Sequence, residues 1–172
     1  MALTLLRHTR PDVAPGTCYG VTDLGLAPSF DTEARAILNV LPNVDRIVTS
    51  PLTRCRRLAE HIAEAVSCPL SVDDRLREID FGRWEGLAWH QVPRSELDIW
   101  AADFLHARPH GGESVAMLRT RAHAALGELR RLDGHSLIVT HAGVIKVALA
   151  TGDSAASHAE TIDFGCFVTL DE

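Results

Sequence analysis

Three short apolar runs alternate with longer stretches of helical spacing, and this alternation limits the fold more than any other feature of the chain. Ala2 to Leu6, Arg46 to Thr49 around Ile47 and Val48, and Leu137 to Val139 each read as a short buried strand. Between them, Ala34, Ile37, Leu38 and Leu41 recur at helical intervals over Thr32 to Leu41. Leu52, Cys55, Leu58, Ala59, Ile62, Ala63 and Val66 do the same after Ser50. Parallel strands need crossover helices, so the pattern predicts an α/β fold, a three-layer α/β/α sandwich with a mostly parallel central sheet. A length of 172 residues with 46% hydrophobic content is enough for a sizeable core, and one domain over 1–172 is expected.

Element boundaries have their own signals. Ser50 before Pro51 reads as an N-cap followed by proline at the first helical position, where its missing N–H removes no bond. Arg54, Arg56 and Arg57 fall largely off the apolar stripe of that helix. Ser114 can cap a helix running to about Leu132; a further helix begins near Gly143, and Phe164 to Leu170 reads as a last strand. From Leu70 to Gly112 the pattern is mixed and helical only in part, with Trp84, Trp89 and Trp100 expected in core or lid packing.

Charge and cysteine content exclude several classes. A formal net charge of −6, from 17 basic and 23 acidic residues, gives no positive field to attract nucleic acid or an anionic membrane. An anionic ligand would have to be met by local arginines. Cys18, Cys55, Cys68 and Cys166 show no CxxC spacing, which fits a reduced compartment. The amino terminus lacks the charged and apolar regions of a signal peptide, and no run of roughly 18 apolar residues could span a bilayer, so a cytoplasmic location is expected. His61, His90, His106, His110, His123, His135 and His158 have no metal-ligand spacing and are expected in surface roles, with no metal site.

In open α/β sheets, ligands bind beyond the carboxyl ends of the strands. Arg7-His8, Ser50 to Arg54 and Thr140-His141 each follow such an end, so one crevice could collect all of them. Two histidines at strand exits, one with an adjacent arginine, suggest a small anion-binding reaction centre. Taken singly, His8 could equally cap backbone groups, Arg54 could be a solvated helix residue and Glu78 a surface or salt-bridge carboxylate, with Asp80 and Glu85 nearby in sequence as alternative acids.

The segments Leu6-Arg7-His8-Thr9, Ser50-Pro51-Leu52-Thr53-Arg54, Arg77 to Gly86, Gly111-Gly112-Glu113-Ser114 and Thr140-His141-Ala142-Gly143 occur in an order that resembles the histidine phosphatase superfamily, also called phosphoglycerate mutase-like. Arg7-His8-Thr9-Arg10-Pro11 followed by Gly16 to Leu24 is similar to its α-ribazole-5′-phosphate phosphatase branch, which serves cobalamin assembly. The resemblance implies a phosphoglycerate mutase-like fold and a metal-independent phosphomonoesterase that works without a cofactor. His8 matches the nucleophile that becomes phosphohistidine. Arg7 and Arg54 would hold phosphate oxygens and keep His8 deprotonated, while His141 supports the transferring group. Glu78 matches the proton donor, a role that requires burial or a nearby anion to favour the acid form. Thr9, Tyr19, Gly20 and Thr22 would contact substrate or shape the turn, and the backbone of Ala142 and the helix after Ser50 would face the phosphate.

The chain departs from the family in two places. Thr9 replaces the glycine that commonly follows Arg-His, as in ribazole-type members, and the asparagine of the mutase motif has no clear equivalent, which favours hydrolysis over mutase chemistry. Thr151 to Asp163 is shorter than the connection many relatives carry, leaving substrate enclosure on that side open. The expected partner is α-ribazole 5′-phosphate or a similar small phosphorylated metabolite, and a homodimer is compatible with the sequence. The competing readings are a protein phosphohistidine phosphatase, which needs a shallow open site, and a silent phospho-ligand-binding protein.

Overall fold

The structure, a computed structural model, describes residues 2–170. Its centre is a five-stranded sheet of β1 (Ala2–Arg7), β2 (Arg46–Thr49), β3 (Leu70–Val72), β4 (His135–Thr140) and β5 (Phe167–Leu170), in the order β3-β2-β4-β1-β5. All pairings are parallel except β1 with β5, which is antiparallel. The helices are α1 (Phe30–Leu38), α2 (Thr53–Val66), α3 (Arg94–Ala102), α4 (Val115–Leu129) and α5 (Ala142–Leu149).

Side chains alternate across the central strands, so each strand feeds two cores. Leu6, Ile47, Leu137 and Val139 face α1 and α2, meeting Ala34, Ile37, Cys55, Leu58 and Ile62. Leu3, Leu5, Val48 and Ile138 face the opposite way, against Leu118, Ala122, Val144 and Ile145 of α4 and α5. Near-continuous apolar runs are what a sheet covered on both faces requires, and the sandwich expected from the sequence is the observed architecture.

Several local expectations fail for tertiary reasons. Ser50 does not cap a helix at Pro51. α2 begins at Thr53 with Leu52 at the cap position, and no Leu52 side-chain bond is made. Asp23, from the long loop after β1, accepts from the Thr53 N–H at 2.7 Å and from its hydroxyl at 2.8 Å. A distant carboxylate therefore does the work assigned to the neighbouring serine. Ser114 does cap α4, accepting from the Met117 N–H at 3.2 Å, but the helix stops at Leu129. The segment from Leu70 to Gly112 holds the edge strand β3 and several 3-10 turns before α3. Trp84 is fully buried there, and its indole N–H donates to Glu96 at 2.6 Å. The last strand is shorter than read, starting at Phe167.

Ile138 sits at the middle of β4 with no exposed surface, whereas Val40 is 66% exposed. Urea unfolding should show Ile138→Ala destabilised by about 2–5 kcal/mol, since truncation leaves a cavity that the rigid sheet cannot close. Val40→Ala should stay within about 0.5 kcal/mol of the parent.

Candidate active site

The register of β1 and β4 places Arg7 opposite Thr140, so the residues that leave the two strands, His8 and His141, emerge side by side. The His8 N–H donates to the Thr140 carbonyl at 3.0 Å, and the two imidazoles lie 5.1 Å apart, edge to face. β2 continues the arrangement from the other side of β4. Its exit residue Ser50 donates its N–H to Val139 at 3.0 Å, and its hydroxyl meets His141 Nε2 at 2.8 Å. Cys55 Sγ lies 3.4 Å from the same nitrogen.

His8 Nδ1 is 2.6 Å from the Thr9 carbonyl. A carbonyl only accepts, so that nitrogen carries the proton and Nε2 presents its lone pair. Arg54 Nε donates to Nε2 at 3.3 Å, in keeping with that tautomer. Burial first, then Arg54 and Arg7, hold His8 well below its ordinary value of 6.5, against the Thr9 hydrogen bond, which raises it. His141, with no exposed surface, is likewise held well below 6.5, by burial first and then by His8, Arg54, Arg121 and Arg7. Burial and the neighbouring cations thus favour the neutral form of both rings in the ligand-free protein.

Arg54 is fully buried, contrary to its expected place off the apolar stripe, whereas Arg56 and Arg57 are exposed and pair with Glu60. Its guanidinium donates to the carbonyls of Thr22 at 2.8 Å and Gly20 at 2.5 Å. Gly20 and Thr22 thus support Arg54 from beneath. Any side chain at Gly20 would strike the Ile79 carbonyl. The loop that carries them is fastened by Glu85, which accepts from the Val21 N–H, the Phe81 N–H and the N–H and hydroxyl of Thr22. Burial raises the Glu85 pKa, but these bonds outweigh it and leave it below the usual carboxylate value.

Arg7, His8, Tyr19, Glu78 and Ala142 line one wall of a cavity of about 540 Å³. Arg54 and His141 sit behind His8, and Thr9 is buried with its hydroxyl unpartnered. Arg7 donates to the Ile162 carbonyl at 2.6 Å and stacks 3.7 Å over the Phe164 ring, while its Nε has no partner. Burial raises the Tyr19 hydroxyl pKa, with Arg7 and Arg54 opposing. Glu78 is held by two backbone donors, Ile79 N–H at 2.9 Å and Gly143 N–H at 3.0 Å. A side chain at Gly143 would collide with that carboxylate, so the glycine after Ala142 is needed for the approach.

The far walls are largely apolar, with Phe81, Trp89, Trp100 and Phe104 among them. Ala155, His158 and Ile162 close the side formed by the short connection before β5, so enclosure there is present. His158 and His110, expected at the surface, are 5% and 2% exposed. Sequence reasoning also missed Ser50 and Cys55 against His141 and the clamp on the Glu78 segment by Arg121. The Gly-Gly-Glu-Ser segment was the available signal for that clamp, because its Glu113 is the partner of Arg121. Among the described residues no helix is long and apolar enough to cross a membrane.

Known proteins similar to this chain share its family and fold. A family model described as histidine phosphatase superfamily (branch 1) matches residues 3–163. The chain is 31% identical to phosphoserine phosphatase 1 of Hydrogenobacter thermophilus over 147 residues, covering 80% of this chain and 68% of that protein. It is 38% identical over 104 residues to a probable phosphoglycerate mutase GpmB of Klebsiella pneumoniae, a match covering 57% of this chain but only 48%, about half, of that relative. A solved structure of a mycobacterial glucosyl-3-phosphoglycerate phosphatase complexed with VO3 superposes with a TM-score of 0.86 at 29% identity, covering 99% of this chain and 92% of that one.

The depressed histidine pKa values couple charge to stability. Below pH 6.5 the unfolded chain binds protons on His8 and His141 that the folded protein does not. Each therefore favours folding above that pH, and the contribution is lost as pH falls toward the folded-state values. The ligand-free Tm should fall between about pH 7 and about pH 5, and fall less steeply in a His8→Asn variant. Imidazole 15N shifts at about pH 6 should report both rings neutral, with His8 protonated on Nδ1.

Proposed function

Because this chain belongs to branch 1 of the histidine phosphatase superfamily, we propose that it is a phosphomonoesterase acting through phosphohistidine on a small phosphorylated metabolite. The observation that carries this reading is the His8 imidazole, its Nε2 free of a proton by the Nδ1–Thr9 contact and flanked by two guanidinium groups, at the wall of a cavity of about 540 Å³.

A phosphate dianion entering between Arg7 and Arg54 is attracted strongly in this desolvated setting, and planar guanidinium groups suit its oxygens. Its charge also favours proton uptake by His141, so that the imidazolium offsets charge on the equatorial oxygens. His8 Nε2 attacks phosphorus as the bond to the leaving oxygen breaks, and Glu78 gives that oxygen its proton. Water then attacks the phosphohistidine, Glu78 takes back a proton, and the P–N bond breaks to release inorganic phosphate and restore Nε2.

With only 2% exposure, His8 lies too deep for an easy approach by a folded protein surface, which supports a small ester over a protein phosphohistidine substrate. For the alcohol, α-ribazole 5′-phosphate is the substrate we infer. The loop from Arg7 to Leu24 carries that resemblance, and the aromatic walls of the chamber suit a flat heterocycle. Phosphoserine and phosphoglycerate esters, the substrate types in the relatives' names, are the alternatives.

Turnover should be measured on ribazole phosphate, phosphoserine, 3-phosphoglycerate and sugar phosphates, with and without EDTA. His8→Ala should abolish turnover of every ester and the acid-labile phosphate trapped on the wild-type protein. Glu78→Gln should lower kcat about 10²–10⁴-fold for alkyl esters, the range typical of general acid catalysis. Full activity in His8→Ala would sink the nucleophile assignment, loss in EDTA the metal-free mechanism, and good turnover of other esters without ribazole phosphate the substrate alone.

A further inference from the structure

The proton donor proposed above stands on backbone that has no regular structure of its own. After the 3-10 turn Asp74–Leu76, the chain from Arg77 to Phe81 belongs to no helix or strand. Carbonyl groups in such a stretch need acceptable donors from elsewhere. One side chain supplies those next to and on Glu78. Arg121, on the α4 face turned to this segment, donates Nη1 to the carbonyls of Arg75 at 2.7 Å and Arg77 at 2.5 Å, and Nη2 to the carbonyl of Glu78 itself at 2.9 Å.

The same guanidinium is fixed from its other edge. Nε and Nη2 donate to the two oxygens of Glu113 at 2.7 and 2.8 Å. A guanidinium carries five N–H donors, and these five bonds use all of them, so Arg121 has one rotationally defined place. Glu113 is itself tied to the next turn: its N–H donates to the Asp80 carbonyl at 2.8 Å, and its carboxylate accepts from the Asp80 N–H at 3.4 Å. The buried Thr140 hydroxyl adds a bond to the Leu76 carbonyl at 2.8 Å, one residue before His141. Backbone on both sides of Glu78 is therefore referred to α4 and to the end of β4.

We propose that Arg121, braced by Glu113, is a positioning residue for the general acid: it holds the Glu78 backbone so that the carboxyl reaches the leaving oxygen of a substrate bound at His8. Arg121 does not line the cavity and touches no reacting atom. Its geometric effect falls on the step that Glu78 performs, proton delivery to the departing oxygen as the P–O bond breaks and the P–Nε2 bond forms, while its charge also helps lower the His141 pKa, an effect that Arg121→Lys retains. Lysine cannot substitute, because a point ammonium has three donors and no planar fork.

This inference rests on the phosphohistidine reading, and the test separates the two. Values of kcat/KM, which report the steps up to phosphohistidine formation, should be measured across a series from 4-nitrophenyl phosphate, whose anion leaves without help, through phenyl phosphate to an alkyl phosphate. Arg121→Met should lose about 100-fold on the alkyl ester, the scale expected when a catalytic group is displaced by about 1 Å, and at most about threefold on 4-nitrophenyl phosphate. Glu78→Gln should show the same leaving-group dependence, and adding Arg121→Met to it should bring little further loss on the alkyl ester. Arg121→Lys and Glu113→Gln should fall between. An equal loss across the series, or full additivity with Glu78→Gln, would overturn the positioning role and leave Arg121 as a fold contact. Absence of wild-type turnover on every ester would instead fail the phosphatase reading. Thermal melts identify variants that do not fold, and for those the conservative Glu113→Gln variant gives the leaving-group slope that decides.

Discussion

The pairing of β1 with β4 in parallel register is the constraint from which the site follows. Opposition of Arg7 and Thr140 commits His8 and His141 to adjacent exits from the sheet, separated by a hydrogen-bonded peptide rather than by flexible side-chain reach. A one-residue slip would turn the two strands' apolar faces to the wrong cores, so hydrophobic burial fixes the register and the register fixes the imidazoles. The same burial that makes the sheet stable removes water from both rings and keeps them neutral.

Glu85 and Glu78 show how environment separates two carboxylates only a few residues apart. Glu85 receives several backbone and hydroxyl donors, and its charge is spent on fastening the loop beneath Arg54 to the turn at Phe81. Glu78 faces the cavity with one backbone donor on each oxygen. One serves as an acceptor for the scaffold; the other is placed where a substrate oxygen would lie.

The strands β1, β2, β4 and β5 and the helices α1, α2, α4 and α5 were legible because their apolar residues repeat with the right period and because the two cores are continuous, whereas the short edge strand β3 was not. So were the residues gathered at the strand exits, since topology alone puts parallel carboxyl ends together. What local reading could not supply were groups whose partner is remote in sequence. Ser50 looks like a helix cap because Ser-Pro is a good local solution, yet its hydroxyl belongs to His141 and the cap comes from Asp23. Arg54, a site residue by its motif but indistinguishable by helical spacing from Arg56 and Arg57, is buried where the carbonyls of Gly20 and Thr22, brought in by the first loop, accept from its guanidinium. His110 and His158 went inside because the irregular segments around the aromatic chamber lack a period from which burial could be read.

The buried guanidinium of Arg54 has a consequence for the protein outside its chemistry. Among the described residues its hydrogen-bond partners are two carbonyls and an imidazole, none of them a carboxylate. If the proposed function holds, an inorganic phosphate ion bound beside it would act as a counter-ion available to the folded state. Folding is then linked to the phosphate level of the surroundings, by about 2.7 kcal/mol at a hundredfold excess over Kd. Under the proposed phosphatase reading, the product of each turnover would then also be a ligand that stabilises the fold.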